Sequence, residues 1–152
     1  MRRRDREITD RAEMEAILAE AQVCRLALAD GGEPYLVPLC FAYAENAIWF
    51  HSAREGKKIA LLEKNPRCCV EVDLNGGAIP DERPCGWEFR YRSVICTGVA
   101  RIAGSNQEKR KGLALILQHY GAGEYEFSEP ELDRVCVVKI GISAMTGKKY
   151  GC

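Results

Sequence analysis

Apolar and polar positions alternate with a period of two through most of this chain, which predicts strands, and three stretches shift to a helical period. Val23 to Ala29 reads as the first strand, with Cys24, Leu26 and Leu28 facing one way. Asp30-Gly31-Gly32 is a turn signal that joins it to Tyr35–Tyr43 as a hairpin. In that second strand Tyr35, Val37, Leu39, Phe41 and Tyr43 share one face, and Leu36, Pro38, Cys40 and Ala42 the other. Both faces are apolar, so both are expected to be covered. Ala44-Glu45-Asn46 supplies a turn and Ala47–His51 returns as a strand. Arg67–Leu74, Gly86–Gly104 and Arg134–Ile140 complete about six strands.

The helical stretches carry their own start signals. Asp10-Arg11-Ala12-Glu13 has a capping pattern, followed by Met14, Ile17, Leu18 and Ala21 on one face. Ser52-Ala53-Arg54-Glu55 matches a capping box with Ser52 as N-cap. The helix it predicts turns Ile59, Leu61 and Leu62 inward and stops at Asn65-Pro66. Asn106–Tyr120 is the third, with Leu113, Leu115, Ile116 and Leu117 as its apolar content and His119 in a capping or surface role. Asn75–Pro84 and Gly121–Pro130 read as loops, and Met145–Lys149 as a basic tail.

Sequential strands with short connections favour an antiparallel sheet, and six of them suit a small Greek-key barrel with flanking helices. A chain of 152 residues is one domain by prior, 1–152. No G-x-G-x-x-G follows a strand, so a Rossmann cofactor site is not indicated.

Charge narrows the partners. Lys plus Arg and Asp plus Glu are 22 each, so no overall field draws in nucleic acid or an anionic membrane. Arg2-Arg3-Arg4 is short and soon followed by Asp5 and Glu7, as in a solvated segment. No apolar run approaches a membrane span, and the first residues lack a secretory h-region, so a soluble cytoplasmic protein is expected. The eight cysteines form no C-x-x-C pair, which argues against a metal site of ordinary spacing. Most lie in apolar strand patterns and read as reduced, buried thiols, with Cys85 and Cys152 in loop or tail.

Candidate chemistry gathers where a strand hands over to a helix. His51, Ser52, Gly56, Lys57 and Lys58 fall within eight residues. Free N–H groups at a helix start, with two added cations, form a site for a phosphate dianion. Glu55 must then point away. The same residues also read as a solvated, lysine-bearing first turn, and isolated basic helix starts are common. Pro38 marks an edge or a bulge, where a flat ring could dock along unpaired backbone. Arg90 and Arg92 beside Ser93 could reach an anion or simply face solvent, and Trp87 reads as core or interface packing.

PYLVPLCFAY followed by IWFHSAREGKKIALLEKNPR resembles the FMN-binding split-barrel family of pyridoxamine 5′-phosphate oxidase-like proteins. The branch that includes nitroimidazole-resistance proteins is the nearest in look. RRRDREITD, YRSVICTGVARI and MTGKK extend the likeness over most of the chain. The resemblance implies a six-stranded split barrel that binds FMN and forms a homodimer with cofactor sites at its interface. It implies that Val37, Pro38 and Leu39 line the ring edge, that His51 and Ser52 contact ribityl chain or ring, and that Lys57 and Lys58 hold the phosphate. Ser93, with Arg92 or Trp87, would reach the flavin bound mainly by the other chain. Two function classes follow: an FMN-dependent oxidoreductase on a small molecule, with His51 as proton donor, or a flavin- or haem-binding carrier without turnover. Pyridoxamine phosphate oxidases proper carry Arg-Lys in place of Lys57-Lys58 and a longer arginine-bearing C-terminal segment, which argues against vitamin B6 as substrate.

Overall fold

Antiparallel pairing joins eight strands into one sheet, in the order β3-β2-β6-β7-β8-β5-β4 with β1 on the free part of β8. The structure, a computed structural model, describes residues 3–152, so Arg2 of the basic opening run lies outside it. The strands are β1 (Glu7–Ile8), β2 (Cys24–Asp30), β3 (Glu33–Leu39), β4 (Ala42–Ala44), β5 (Ala47–Ala53), β6 (Arg67–Ile79), β7 (Glu88–Ile102) and β8 (Val135–Tyr150). Four α-helices accompany them: α1 (Arg11–Glu20), α2 (Lys57–Lys64), α3 (Asn106–His119) and α4 (Glu129–Arg134).

Turn chemistry sets the two terminal hairpins. Gly31 and Gly32 take positive φ between β2 and β3, where an L side chain would be strained. Glu45 and Asn46 do the same between β4 and β5, at φ 53° and 56°, which is the signature of a type I′ turn. Arg11 donates to Asn46 Oδ1 at 2.6 Å and Asn46 Nδ2 to the Ile142 carbonyl at 3.2 Å, so contacts from α1 and β8 hold the unusual backbone.

Only Cys40 and Phe41 separate β3 from β4, yet these strands stand at opposite ends of the sheet. Three residue steps span about 10 Å at most. The sheet must therefore curl until its ends come together, and the connecting chain, with no ladder between β3 and β4, makes the closure a split. Alternate residues of the long strands fill the inside: Leu26, Val70, Val72, Val94 and Cys96, with Phe41 and Phe50, all at most 1% exposed. Met14, Ile17 and Leu18 of α1 and Ile59, Leu61 and Leu62 of α2 pack into this cluster. A smaller cluster of Trp49, Leu113, Leu132 and Val137 sits under α3 and α4 on the other side of β5 and β8. After β5 the chain leaves through α2 to begin β6, which lies three positions away in the sheet. That Greek-key connection positions the candidate site.

Several expectations change. The expected strand Tyr35–Tyr43 is two, β3 and β4, and β1, at two residues, is too short to show a period-two pattern, so six strands become eight among the described residues. Within the single chain its second face is open at Leu36, which is 63% exposed, and at Pro38 and Cys40, while Ala42 is buried. The helix after β5 starts at Lys57 with Gly56 as N-cap and no side-chain cap. Ser52 is still in β5, because the ladder Ser52↔Cys136 continues to Ala53↔Val135. Half of the loop read at Asn75–Pro84 is strand, since β6 absorbs Gly76 as a register shift and pairs through Ile79. The Met145–Lys149 tail is also strand, paired to β7 and β1. Within the acidic loop a capping box of Ser128 and Glu131 opens α4. His119 is half-buried, its Nε2 2.8 Å from the Ala21 carbonyl, and so fastens α3 to the end of α1.

Candidate functional site

One open cleft of ≈ 430 Å³ brings together four of the expected residues, His51, Ser52, Lys57 and Lys58. Its floor is the end of β5, its first wall the start of α2, and its second wall the α4–β8 junction with Arg134 and Val135. Tyr35 of β3 closes a further side, with Lys57 Nζ 5.2 Å from its ring centroid. The cause is local and long-range together. Gly56 has φ 130°, a conformation L side chains rarely adopt, and this lets the chain turn sharply from β5 into α2. Space stands open where its Cβ would be, so the conformation is what calls for glycine there.

The number of cations gathered, three against the single Arg67 of the larger groove, sets this cleft apart. Among the described residues none of Lys57, Lys58 and Arg134 has a carboxylate within ion-pair distance, whereas Glu55 is the one acid in the lining. Lys58 is half-buried beside the Phe50 ring, and burial lowers its pKa. His51 opens to solvent, but the atoms crowding its ring lower its pKa, and Lys58 adds to the effect. A neutral imidazole at pH 7 can both donate and accept a hydrogen bond.

The remaining predicted residues lie elsewhere. Val37 and Leu39 are half-buried against the barrel core and Pro38 is exposed on β3, beyond Tyr35. Pro38 is on an edge strand, opposite Arg25, as its missing donor requires. Arg92 pairs with Glu20 at 2.9 Å, Ser93 Oγ lies 3.5 Å from the Lys148 carbonyl, and Trp87 Nε1 donates to the Asp81 carbonyl at 2.9 Å. His51 is level with Val137, and Val138 with Ile102 at the far end of β7. Nine residues of strand from Ser93 to Ile102 measure about 30 Å. Within one chain Trp87, Arg92 and Ser93 therefore do not reach the cleft.

Volume alone does not select the site. A larger groove of ≈ 640 Å³ on the outer sheet face is lined by Ala27, Cys69, Thr97 and Val99, with Arg67 as its cation. A third, of ≈ 480 Å³, holds Arg92 and Lys149, but Glu20 and Glu13 neutralise them. Tyr35 and Arg134 were not singled out by sequence. Tyr35 carried no signal beyond its place in an apolar strand, and Arg134 depends on the β5–β8 ladder.

Residues 10–149 match the family described as pyridoxamine 5′-phosphate oxidase. A candidate 5-nitroimidazole antibiotic resistance protein from Bacteroides thetaiotaomicron is 32% identical, with 93% of this chain and 85% of that one covered and a TM-score of 0.84. An FAD-binding protein from Mesorhizobium loti is 25% identical over 96% of this chain and 98% of that one, TM-score 0.72. An FAD and heme binding protein from Mycobacterium smegmatis shares the fold, with a TM-score of 0.89 over 97% of this chain and 74% of that one, at 18% identity. Among curated proteins, an uncharacterized one from Rhizobium meliloti is 28% identical over 65 residues, and the match spans 43% of this chain and 42% of that protein, less than half of each. Among the described residues no helix is long and apolar enough to cross a membrane, and no cluster of His, Cys, Asp and Glu could hold a metal ion.

Proposed function

This chain belongs to the pyridoxamine 5′-phosphate oxidase family, and from that premise we propose that it is a flavin-binding protein, an FMN-dependent oxidoreductase acting on a small molecule. The observation that carries the reading is the meeting of Lys57 and Lys58 with His51 and Ser52 in one cleft, where Glu55 is the one acid in the lining and, among the described residues, neither lysine has a carboxylate within ion-pair distance. The residues fit a phosphorylated flavin. Lys57 and Lys58 would bind the phosphate, and Ser52 and His51 the polar chain above it. The exposed backbone of Val37, Pro38 and Leu39 would lie along the ring edge, on a strand whose outer side is free. A bound flavin supplies the electron transfer. His51, at the surface of the cleft, would hand a proton to a reduced substrate from its imidazolium form, which its lowered pKa makes the minor form at neutral pH.

A homodimer belongs to the same proposal. The outer faces of β3, β6 and β7 leave Leu36 63%, Val99 50% and Ile95 45% exposed, with Cys69 and Thr97 between them. A twofold partner is the commonest way to cover such a face. A second copy would also bring its Trp87, Arg92 and Ser93 to the flavin, which a single chain cannot do over the length of β7. A cytoplasmic setting suits eight free thiols.

The second reading, a carrier without turnover, draws on the heme named for the Mycobacterium smegmatis protein. Haem needs an axial ligand. Of the two histidines, His119 is engaged with Ala21, which leaves His51 as the histidine that could serve.

The visible spectrum of the purified protein separates flavin bands from a Soret band. Oxidation of NADH or NADPH with flavin bound and an acceptor supplied separates enzyme from carrier. The site itself is tested by titrating FMN and riboflavin into wild type and the Lys57→Ala, Lys58→Ala double variant. Each charge-assisted contact contributes about 1.5–3 kcal/mol, so FMN should weaken at least about tenfold while riboflavin hardly changes. An unchanged FMN-to-riboflavin ratio removes the phosphate site. FAD titrated alongside decides the nucleotide, and tighter FAD binding would replace FMN in this account.

A further inference from the structure

We propose that Arg134 is a third phosphate-binding cation of the cleft and selects for flavins that carry a phosphate, an inference that rests on the flavin-nucleotide reading of the same site. Arg134 stands 76 positions beyond Lys58 in sequence, yet lines the same cleft from the opposite wall. Two lysines on one side and a guanidinium on the other can engage different oxygens of one phosphate. The planar fork of arginine adds a bidentate mode that an ammonium lacks.

Three observations support the assignment. The chain balances 22 cations against 22 anions, and Arg92, Lys111 and Lys149 each have a carboxylate within 2.9 Å. Arg134 has none within 4.0 Å among the described residues, although its charge is felt by Glu131, one turn before it on α4. Glu131 is already committed to Ser128 and Tyr125. An unpaired arginine facing two unpaired lysines repels them unless an anion lies between.

The wall that carries Arg134 is also held rigidly. Val135 pairs with Ala53 in the β5–β8 ladder, and Leu132, one turn of helix away, is fully buried. Arg54, from the loop that leads into α2, donates to the Asp133 carbonyl at 3.1 Å. That contact fastens one wall to the other beside the cleft, so the backbone positions that carry the three cations are set before a ligand arrives. Preorganisation of this kind raises affinity by lowering the ordering cost of binding.

FMN and riboflavin are titrated by flavin fluorescence into wild type, Arg134→Ala and Arg134→Lys. The expected result is a loss of about tenfold or more in the FMN-to-riboflavin affinity ratio for Arg134→Ala. Arg134→Lys should recover part of it, since charge returns without the fork. Riboflavin affinity serves as the internal control that each variant is folded. A wild type that prefers FMN, with the same preference in Arg134→Ala, overturns the role of Arg134 and leaves the lysine site standing. A wild type with no preference for FMN overturns this inference together with the phosphate reading beneath it.

Discussion

At Gly98, on the inner side of β7, a Cβ would lie 2.3 Å from the Gly141 carbonyl oxygen of the neighbouring strand. The register shifts here between Thr97 and Gly98, and the two backbones approach closely. At Gly112 of α3 a Cβ would meet Val137 Cγ1 at 2.6 Å and Trp49 Cε3 at 2.8 Å. Alanine in a helix gains up to about 1 kcal/mol over glycine, but overpacking costs about 1–3 kcal/mol. Gly112→Ala should therefore be mildly destabilising, and Gly98→Ala more so, because side chains can yield where a ladder carbonyl cannot. Urea unfolding of both variants checks the order, and equal stability to wild type would contradict the close approach. Cysteine chemistry is set at the same scale. Burial pushes the Cys24 and Cys96 thiols up to about 12 and Cys68 up to about 11. Thiolates are the reactive form, so a thiol reagent at neutral pH should modify the exposed Cys40, Cys85 and Cys152 first. Early modification of Cys24 or Cys96, mapped by mass spectrometry, would contradict the packing.

Among the elements, α4 is short, at six residues, but carries Arg134 into the lining of the cleft. Its start depends on Ser128 and Glu131, each of which bonds the other's end of the capping box. Hydrogen bonds from the Ser128 hydroxyl, the Tyr125 hydroxyl and the Ser128 backbone push the Glu131 carboxyl down to about 2 from an ordinary 4.5. A depressed carboxylate pKa stabilises the folded form above the unfolded value, and that contribution is lost as pH falls from about 4.5 toward about 2. NMR titration should find the Glu131 midpoint near 2, and Glu131→Gln should flatten the acid sensitivity of α4 in that window. A midpoint near the ordinary value would mean that the capping box does not form in solution. Replacing the cap itself, Ser128→Ala, should cost about 1 kcal/mol, read as faster amide exchange in α4.

For the whole molecule, the proposed dimer is open to test at the outer sheet face. Leu36, Ile95 and Val99 are each at least 45% exposed. Arg25 flanks them, ion-paired to Glu71 at 3.1 Å and to Asp73. If this face meets a second copy, Ile95→Asp with Val99→Asp should give a folded monomer. Light scattering would report the change of mass. FMN affinity should fall with it, since the second chain no longer contributes, and Cys69 should become open to thiol reagents. A wild-type monomer that holds flavin at full affinity would refute the dimer.

Period-two and helical patterning in the sequence by itself determined the class of fold, both central turns, the inward residues of α1, α2 and β2, and the place of the candidate cleft at the β5–α2 junction. These are local properties: side chains alternate on a strand and recur on a helix whatever lies far away. His51, Ser52, Lys57 and Lys58 are near in sequence, so their proximity in space followed from one tight turn. Tertiary structure decided where strands stop. Ser52 and Ala53 remain in β5 because Cys136 and Val135 pair with them, against a local capping signal at Ser52. Met145–Lys149 is strand because β7 and β1 flank it, although its composition reads as a tail. Arg134 entered the cleft, and Trp87, Arg92 and Ser93 stayed out, for the same reason. Ladder register couples residues that lie tens of positions apart, and no local pattern records which partner a strand will take.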